Sequence, residues 1–448
     1  MKESFVITEV SREDLEEIGF DTSKVSDETM ERLARKLGDD YCEQLFWTSL
    51  EVMAEYLEIP KKDLMERVKI HASIVDDITE QQVKQLANSE AYKNAIIRVM
   101  PDCHAGKGCT IGSVIQYTDK VVPNTVGVDI GCGMLVMELG QVDINLAELD
   151  DIIHKYIPSG FDIHDTPITS YKKKLIAHIS DWEYIERSIG TLGGGNHFIE
   201  LDEDDEGNKY LVIHSGSRNL GVQVCKYWQD KAVARLTDDS DIRKKLIDRL
   251  KAEGRAKDIS EELKKIKKPK IDNDLAYVEG EDLEGYLHDM ELCQKYAILN
   301  RNIIGTLILD ALGIKEYKWF TTIHNYIDIP SKTIRKGAIS AKNNERVLIP
   351  MNMRDGSLIC MGKGNPDWLF SAPHGAGRIM SRMQAKTNLN IEDFQESMKG
   401  IYTTSVCEET IDEAPMVYKN AKKIMEDIVP TVKILKVIKP LYNFKAKQ

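Results

Sequence analysis

Residues 100–134 read MPDCHAGKGCTIGSVIQYTDKVVPNTVGVDIGCGM, and the rest of the chain is organised around this stretch. It holds Asp102, Cys103, His104, Cys109, Asp129 and Cys132, interleaved with glycines that let backbone approach a bound group closely. Its last part, Val126-Gly127-Val128-Asp129-Ile130-Gly131-Cys132-Gly133, reads as a buried apolar strand ending in a glycine-bracketed turn that presents a carboxylate and a thiol. A thiolate is a soft ligand and a carboxylate a hard one, so the pair suits a borderline divalent metal such as Mn, Co or Zn. A tight turn around a buried structural cysteine is the competing reading. Partners elsewhere in the chain decide between them.

The 448 residues are 42% hydrophobic, enough for a substantial core and two or three domains or one large α/β unit. A net charge of −13 argues against gripping nucleic acid through a broadly basic surface, so such a partner must be met locally. The eight cysteines (42, 103, 109, 132, 225, 293, 360, 407) are scattered and form no CxxC framework, which fits a reducing cytoplasm. The opening MKESFVITEVSREDLEE lacks an apolar signal core, and no run approaches the ~18 apolar residues of a membrane span. The expectation is a soluble cytoplasmic protein with no membrane association.

Residues 1–70 read as a helical N-terminal region, because MERLARKLGDDYCEQLFWTSLEVMAEYL spaces its apolar residues helically after Ser26-Asp27-Glu28-Thr29. A helix is expected from Ile78 to about Ala95, then a strand Ile96–Met100 delivering Pro101-Asp102-Cys103-His104. Further helices are expected at Leu146–Tyr156 and Leu283–Leu307. The block 238–270, rich in Lys, Arg, Asp and Glu, predicts an exposed helical insertion, either a solvated face or a grip on an acidic partner. Val432–Phe444 alternates as a strand pair, with Lys445 just after it.

Four of the ten histidines recur in one kind of place. His197 follows Gly193-Gly194-Gly195-Asn196, His214 and His324 end the apolar runs Tyr210–Ile213 and Trp319–Ile323, and His374 sits in Ser371-Ala372-Pro373-His374-Gly375-Ala376-Gly377-Arg378. Singly each is more simply structural. Together with Asp129 and Cys132 they supply N, S and O donors enough for two metal ions. The 371–378 motif resembles a helix N-terminus whose free N–H groups, with Arg378 and Arg382, can hold phosphate. A nucleophilic histidine must be neutral and oriented through its second nitrogen, which makes Asp102 a candidate partner for His374.

The motifs MPDCHAGKG, GVDIGCGM, GGGNHFIE, VIHSGSR, TTIHN and SAPHGAGR, in this order and with a lysine near the C-terminus, resemble the RtcB-type RNA ligases over roughly Ile78 to Lys445. The resemblance implies one large α/β catalytic domain over 71–448, with a mixed β core around a deep metal-containing cleft. It further implies a GTP-dependent ligase that joins an RNA 2′,3′-cyclic phosphate or 3′-phosphate to a 5′-hydroxyl with two Mn(II) ions, with an activating protein as a possible partner. Asp129, Cys132, His197, His214 and His324 would hold the metals, and His374 would become guanylated. Asn196, Phe198, Glu200, Pro350, Asn352, Ser357, Ala376 and Gly377 would contact the nucleotide, Tyr418 would stack on its base and Lys445 would read it. Arg218, Arg378 and Arg382 would meet RNA phosphates.

One departure stands out: where the family carries Gly-Ser after Ile-Pro, this chain has Met351-Asn352, replacing a small hydroxyl with a larger amide. Two rival functions use the same residues. A metal-dependent phosphoesterase of RNA ends would employ water as nucleophile, and a non-catalytic binder of RNA ends or nucleotides would use metals only to shape the fold.

Overall fold

The computed structural model describes residues 10–17, 21–23, 25–41, 67–106, 108–266 and 271–446. The chain divides into two compact units, Met1–Met65 and Glu66–Gln448. In the first, helices Arg12–Glu17 and Asp27–Tyr41 are described, and the remainder of the predicted helical pattern lies outside the described residues. Residues 68–70, read from sequence as the end of that helical region, are instead a strand of the second unit.

The second unit is built on two sheets. The first runs β1 (Val68–Ile70), β2 (Ile96–His104), β3 (Ile111–Gln116), β11 (Thr333–Lys336) and β10 (Asn325–Asp328), with β1 parallel to β2 and the other pairs antiparallel. The second has seven antiparallel strands in the order β13 (Arg346–Asn352), β14 (Gly356–Gly362), β16 (Val432–Lys445), β6 (Phe198–Glu203), β7 (Lys209–Ser215), β5 (Gly133–Gly140) and β9 (Lys318–Ile323). Two short pairs complete the strands: β4 (Lys120–Val121) with β8 (Val278–Glu279), and β12 (Ala338–Ser340) with β15 (Ser371–Pro373).

Alternation along the seven-stranded sheet sorts its side chains onto two faces. Leu135, Met137, Ile199, Leu201, Leu211 and Ile213 pack under Ile304, Ile308 and Leu309 of the long helix Gly280–Ala311. The intervening Met134, Val136, Phe198, Tyr210 and Val212 meet Leu348, Ile359 and Ile438 from the other half of the same sheet. The sheet therefore curls on itself, and its two edges touch where Leu348 N–H donates to Thr322 Oγ1 at 3.1 Å. The long helix also pins the loops at one end of the sheet. Asn300 Oδ1 accepts from Gly190 and Thr191 N–H (2.7 and 3.2 Å), and the fully buried Arg301 donates to the carbonyls of Gly131 (2.9 Å) and Ser215 (2.8 Å).

Several sequence expectations change in detail. The helix expected from Ile78 to Ala95 spans Asp77–Asn88, capped by Asp76, and gives way to turns before β2. Residues 126–132 are turn rather than strand, with Gly131 at φ +74° and Val128 exposed; the strand begins at Gly133. The 371–378 motif does not open a helix: β15 ends at Pro373, and the next helix starts at Arg382 behind Ser381. The backbone N–H groups of His374 and Gly375, which the helix reading left free for phosphate, both donate to Asp102 Oδ2 (3.0 and 3.2 Å). Val432–Phe444 belongs to one strand, β16, bulged at Ile359/Cys360 of its neighbour and between Pro440 and Tyr442. The charged block forms helices Ser240–Ala252 and Ile259–Lys265 with no described residue of the second helix buried; its residues 267–270 lie outside the described residues.

Arg301→Met keeps the length of the side chain and strands two buried carbonyls. It should lower unfolding stability by roughly 2–4 kcal/mol, read as a lower urea midpoint. An unchanged midpoint would mean that Gly131 and Ser215 find other donors.

Candidate active site

The sheet register gathers the cysteine and histidines. Gly133 of β5 pairs with Ile323 of β9, so Cys132 and His324 lie side by side just beyond that pair, and His324 N–H donates to the Cys132 carbonyl at 2.9 Å. His214 of β7 faces Met134 on one side and Phe198 on the other, and His197 immediately precedes Phe198. Four ligand-type side chains thus share one end of adjacent strands in the order β6, β7, β5, β9. Asp129 closes the group from the preceding turn. Its carboxylate lies against Gly216, where a Cβ would fall 1.8 Å from Asp129 Oδ1, so only glycine fits there.

Two backbone carbonyls orient the rings. His197 Nδ1 lies 2.9 Å from Leu192 O, and His214 Nδ1 lies 3.1 Å from Asn196 O; each therefore carries its hydrogen on Nδ1 and turns a bare Nε2 inward. Cys132 Sγ is 3.2 Å from His214 Nε2 and 3.4 Å from His197 Nε2. His197 Nε2 is 3.0 Å from Asp129 Oδ2, and the Nε2 atoms of His214 and His324 are 3.4 Å apart. Burial, followed by the charges of neighbouring imidazoles, holds the titration of His214 and His324 well below the usual histidine range, so both rings are neutral. Burial pushes the Cys132 thiol well up. Lone pairs of N and S converging within 4.8 Å on Cys132, His197 and His214, with a carboxylate beside them, fit a borderline divalent cation.

His374 stands next to this cluster, its ring centroid 4.9 Å from that of His324. Its Nδ1 lies 2.6 Å from Oδ2 of Asp102, a residue with no exposed surface. With Nδ1–H donated to that carboxylate, Nε2 is the bare nitrogen of His374.

His374 also lines a cavity of about 960 Å³. Asn196, Phe198, Glu200, Pro350 and Asn352 form part of its wall, and Ala376, Gly377, Arg378, Arg382, Tyr418 and Lys445 form another. Three of the predicted nucleotide and RNA contacts sit differently. Ser357 is fully buried across from Pro350, outside the lining, with its hydroxyl unpartnered among the described residues. Arg218 packs against the Gly193 loop, donating to Gly160 O (3.2 Å) and Thr191 Oγ1 (3.3 Å), and does not line the cavity. Asn352 spends its amide on its own turn. Its Nδ2 donates to Asp355 Oδ2 (2.8 Å), and its Oδ1 accepts from the N–H groups of Arg354 and Asp355 (3.0 and 2.9 Å).

Sequence reasoning gave no role to two buried acids here. Glu413, 2% exposed, accepts from Lys445 Nζ at 3.1 Å, Tyr418 Oη at 2.6 Å and Arg378 Nη1 at 3.2 Å. Its one sequence signal is its place five residues before Tyr418 in EAPMVYK. Asp202 lies two residues beyond Glu200 on the same face of β6, fully buried, both oxygens unpartnered among the described residues. Burial pushes Glu200 up to about 7 against the pull of Lys445 and the hydrogen bond from Asn443, and burial together with Glu200 pushes Asp202 well up.

An α/β protein whose cleft sets a thiol–imidazole–carboxylate cluster beside a carboxylate-held histidine is the class that fold and site define. The chain belongs to the RtcB family: the family model described as tRNA-splicing ligase RtcB matches residues 82–187 and 176–446. It is 31% identical over 389 residues to the RNA-splicing ligase RtcB of Escherichia coli K12, covering 76% of this chain and 88% of that protein. It is 25% identical over 437 residues to an Escherichia coli RNA-splicing ligase RtcB2 (88% and 98% covered) and 26% over 428 residues to the tRNA-splicing ligase RtcB of Aeropyrum pernix (73% and 83%). No described helix is long and apolar enough to cross a membrane.

A free glutamate titrates at about 4.3, whereas Glu200 titrates near 7. Between those values the folded chain binds the extra proton, so stability falls as the pH climbs through that window. Glu200→Gln removes the fall. Its melting temperature should exceed that of the parent by more at about pH 8 than at about pH 5; equal differences at the two would place Glu200 in an ordinary solvated environment.

Proposed function

We infer that this chain is a GTP- and Mn(II)-dependent ligase that joins an RNA 3′-phosphate or 2′,3′-cyclic phosphate end to a 5′-hydroxyl through a guanylated histidine. The carrying observation is the bare Nε2 of His374, fixed through Asp102 and set against His324. Family membership and the relatives named as RNA-splicing ligases support the same reading.

Asp129, Cys132, His197, His214 and His324 would hold the metal ions, which when bound supply charge neutralisation for the phosphates. The rest is work for the chain's own groups. Asn196, Phe198, Glu200, Tyr418 and Lys445 would bind the guanine nucleotide, with Pro350, Asn352, Ala376 and Gly377 beside them and Ser357 beneath. His374 Nε2 attacks the α-phosphorus of GTP; the new N–P bond forms as the bond to the bridging oxygen breaks and pyrophosphate leaves. Asp102 keeps the Nδ1 proton and stabilises the cationic imidazole that results. A 2′,3′-cyclic end is first opened by water, which breaks the bond to O2′ and leaves a 3′-phosphate. An oxygen of the 3′-phosphate then takes the GMP from His374, and the 5′-hydroxyl attacks that activated phosphate, giving its proton to solvent, closing the phosphodiester and releasing GMP. Arg378 and Arg382 would steady the RNA phosphates from the cavity wall, and Arg218 from the neighbouring Gly193 loop. Such a protein acts in RNA repair or tRNA processing in the cytoplasm.

Incubation with α-labelled GTP and Mn(II), followed by denaturation, should leave an acid-labile label on the protein. His374→Ala should abolish label and joining by more than roughly a thousandfold while keeping bound metal. Dephosphorylation of RNA ends without any adduct would establish the phosphoesterase instead. Cys132→Ser should lower the manganese retained after gel filtration, together with joining; full retention would remove Cys132 from the ligand set.

A further inference from the structure

Glu413 is buried, with cations on both sides of its carboxylate. Its two oxygens divide the cavity wall. Oε2 takes the ammonium of Lys445 (3.1 Å) and the hydroxyl of Tyr418 (2.6 Å); Oε1 takes the guanidinium groups of Arg378 (3.2 Å) and Arg382 (3.5 Å). The same cations lie over the aromatic walls, Lys445 Nζ 5.4 Å from the Phe198 ring centre and the Arg378 guanidinium carbon 5.5 Å from that of Tyr418. A backbone bridge also pairs Arg378 with Tyr418. Burial alone would raise the Glu413 carboxyl, but Lys445, Arg378 and Arg382 outweigh it and keep it ionised.

We propose that Glu413 is a positioning residue for the nucleotide, fixing the base-reading pair Lys445 and Tyr418 and the phosphate-side Arg378 in a common frame before GTP arrives. This rests on the ligase reading above. A lysine ammonium donates to the O6 acceptor of guanine but meets a donor at the 6-amino group of adenine, so its placement governs base choice. A free ammonium on a four-carbon stem would sample many positions; a buried carboxylate partner removes that freedom and its entropic cost on binding. Because one carboxylate serves both ends, its loss disturbs base choice and affinity together.

The test is Glu413→Gln, which keeps shape and removes charge, assayed as single-turnover protein guanylylation with labelled GTP and ATP. The expected result is a rise of about tenfold or more in the GTP concentration for half-maximal rate, a smaller loss in maximal rate, and a GTP-over-ATP preference narrowed by about tenfold. A folded variant with unchanged half-saturation and preference overturns the proposal. So does one that loses maximal rate equally for both nucleotides, which would mark Glu413 as structural only. Should Glu413→Gln lose its cooperative melting transition, Tyr418→Phe decides, since it deletes one donor and keeps the ring. A roughly threefold weaker GTP response with narrowed preference supports the proposal, and parental values refute it. Labelling of the parent protein separates the two claims: its absence defeats the ligase reading, whereas its presence with unaltered variants defeats only the role of Glu413.

Discussion

Two hydrogen bonds from imidazole Nδ1 to the carbonyls of Leu192 and Asn196 decide what the centre of this protein can be. They are ordinary in strength, about 1 kcal/mol each net, but they choose the tautomer. Once the hydrogens of His197 and His214 are committed outward, unshared electron pairs meet in the interior beside Cys132, an arrangement that water-free packing alone would penalise. The carbonyls can play this part only because their loop is itself held. Asn300 fastens Gly190 and Thr191 with its amide, Thr191–Leu192 leads directly into the glycine run, and Ser215 Oγ donates to the same Leu192 oxygen at 2.9 Å. A helix, a loop and three strand ends are consequently a single mechanical piece.

Much of this was readable in advance. A histidine at the end of an apolar run is placed by the strand that precedes or follows it, so His197, His214 and His324 could be located by alternation and turn residues alone, and they do converge with Cys132. Pairing across long separations was legible only in part. Asp102 and His374, 272 positions apart, were expected as partners from the needs of a nucleophilic imidazole and do meet, but whether the backbone N–H groups of the 374–375 turn point to a ligand or to that same carboxylate depends on which strand arrives beside them. The misreading of 371–378 as a helix start came from the right observation, small residues with free N–H groups, completed with the wrong partner. Glu413 was hidden for a related reason: a carboxylate in EAPMVYK carries no local mark of burial, and its meaning comes only from Arg378, Arg382 and Lys445 closing over it. In 126–132 the run of valine and isoleucine suggested a strand, but glycine in the left-handed region bends the chain before pairing can begin.

The electrostatic layout reconciles an acidic chain with an anionic substrate class. The cations of the cavity wall are not a bare positive patch. Glu413, buried in the wall, receives Arg378, Arg382 and Lys445 at 3.1–3.5 Å, and the buried Asp412 takes Arg382 and Lys386 at 3.4–3.9 Å, so part of the positive charge is offset before anything binds. On the proposed function, a phosphate entering there would exchange partners with a carboxylate rather than meet an uncompensated charge, which favours selectivity of geometry over indiscriminate attraction to polyanions. Asn352 follows the same logic on the opposite wall: its polar atoms are already spent within the turn to Asp355, leaving Met351 and Met353 as its apolar neighbours in the lining.

β16 follows every other described strand in chain order, yet it lies in the interior of the seven-stranded sheet, between β14 and β6. During vectorial synthesis the β13–β14 hairpin and the β6–β7–β5–β9 group must therefore wait as separate halves, each with an unpaired edge, until this strand leaves the ribosome. The nascent polypeptide is exposed to edge-to-edge association for that interval, and a stalled or prematurely ended translation product would be sticky as well as inert.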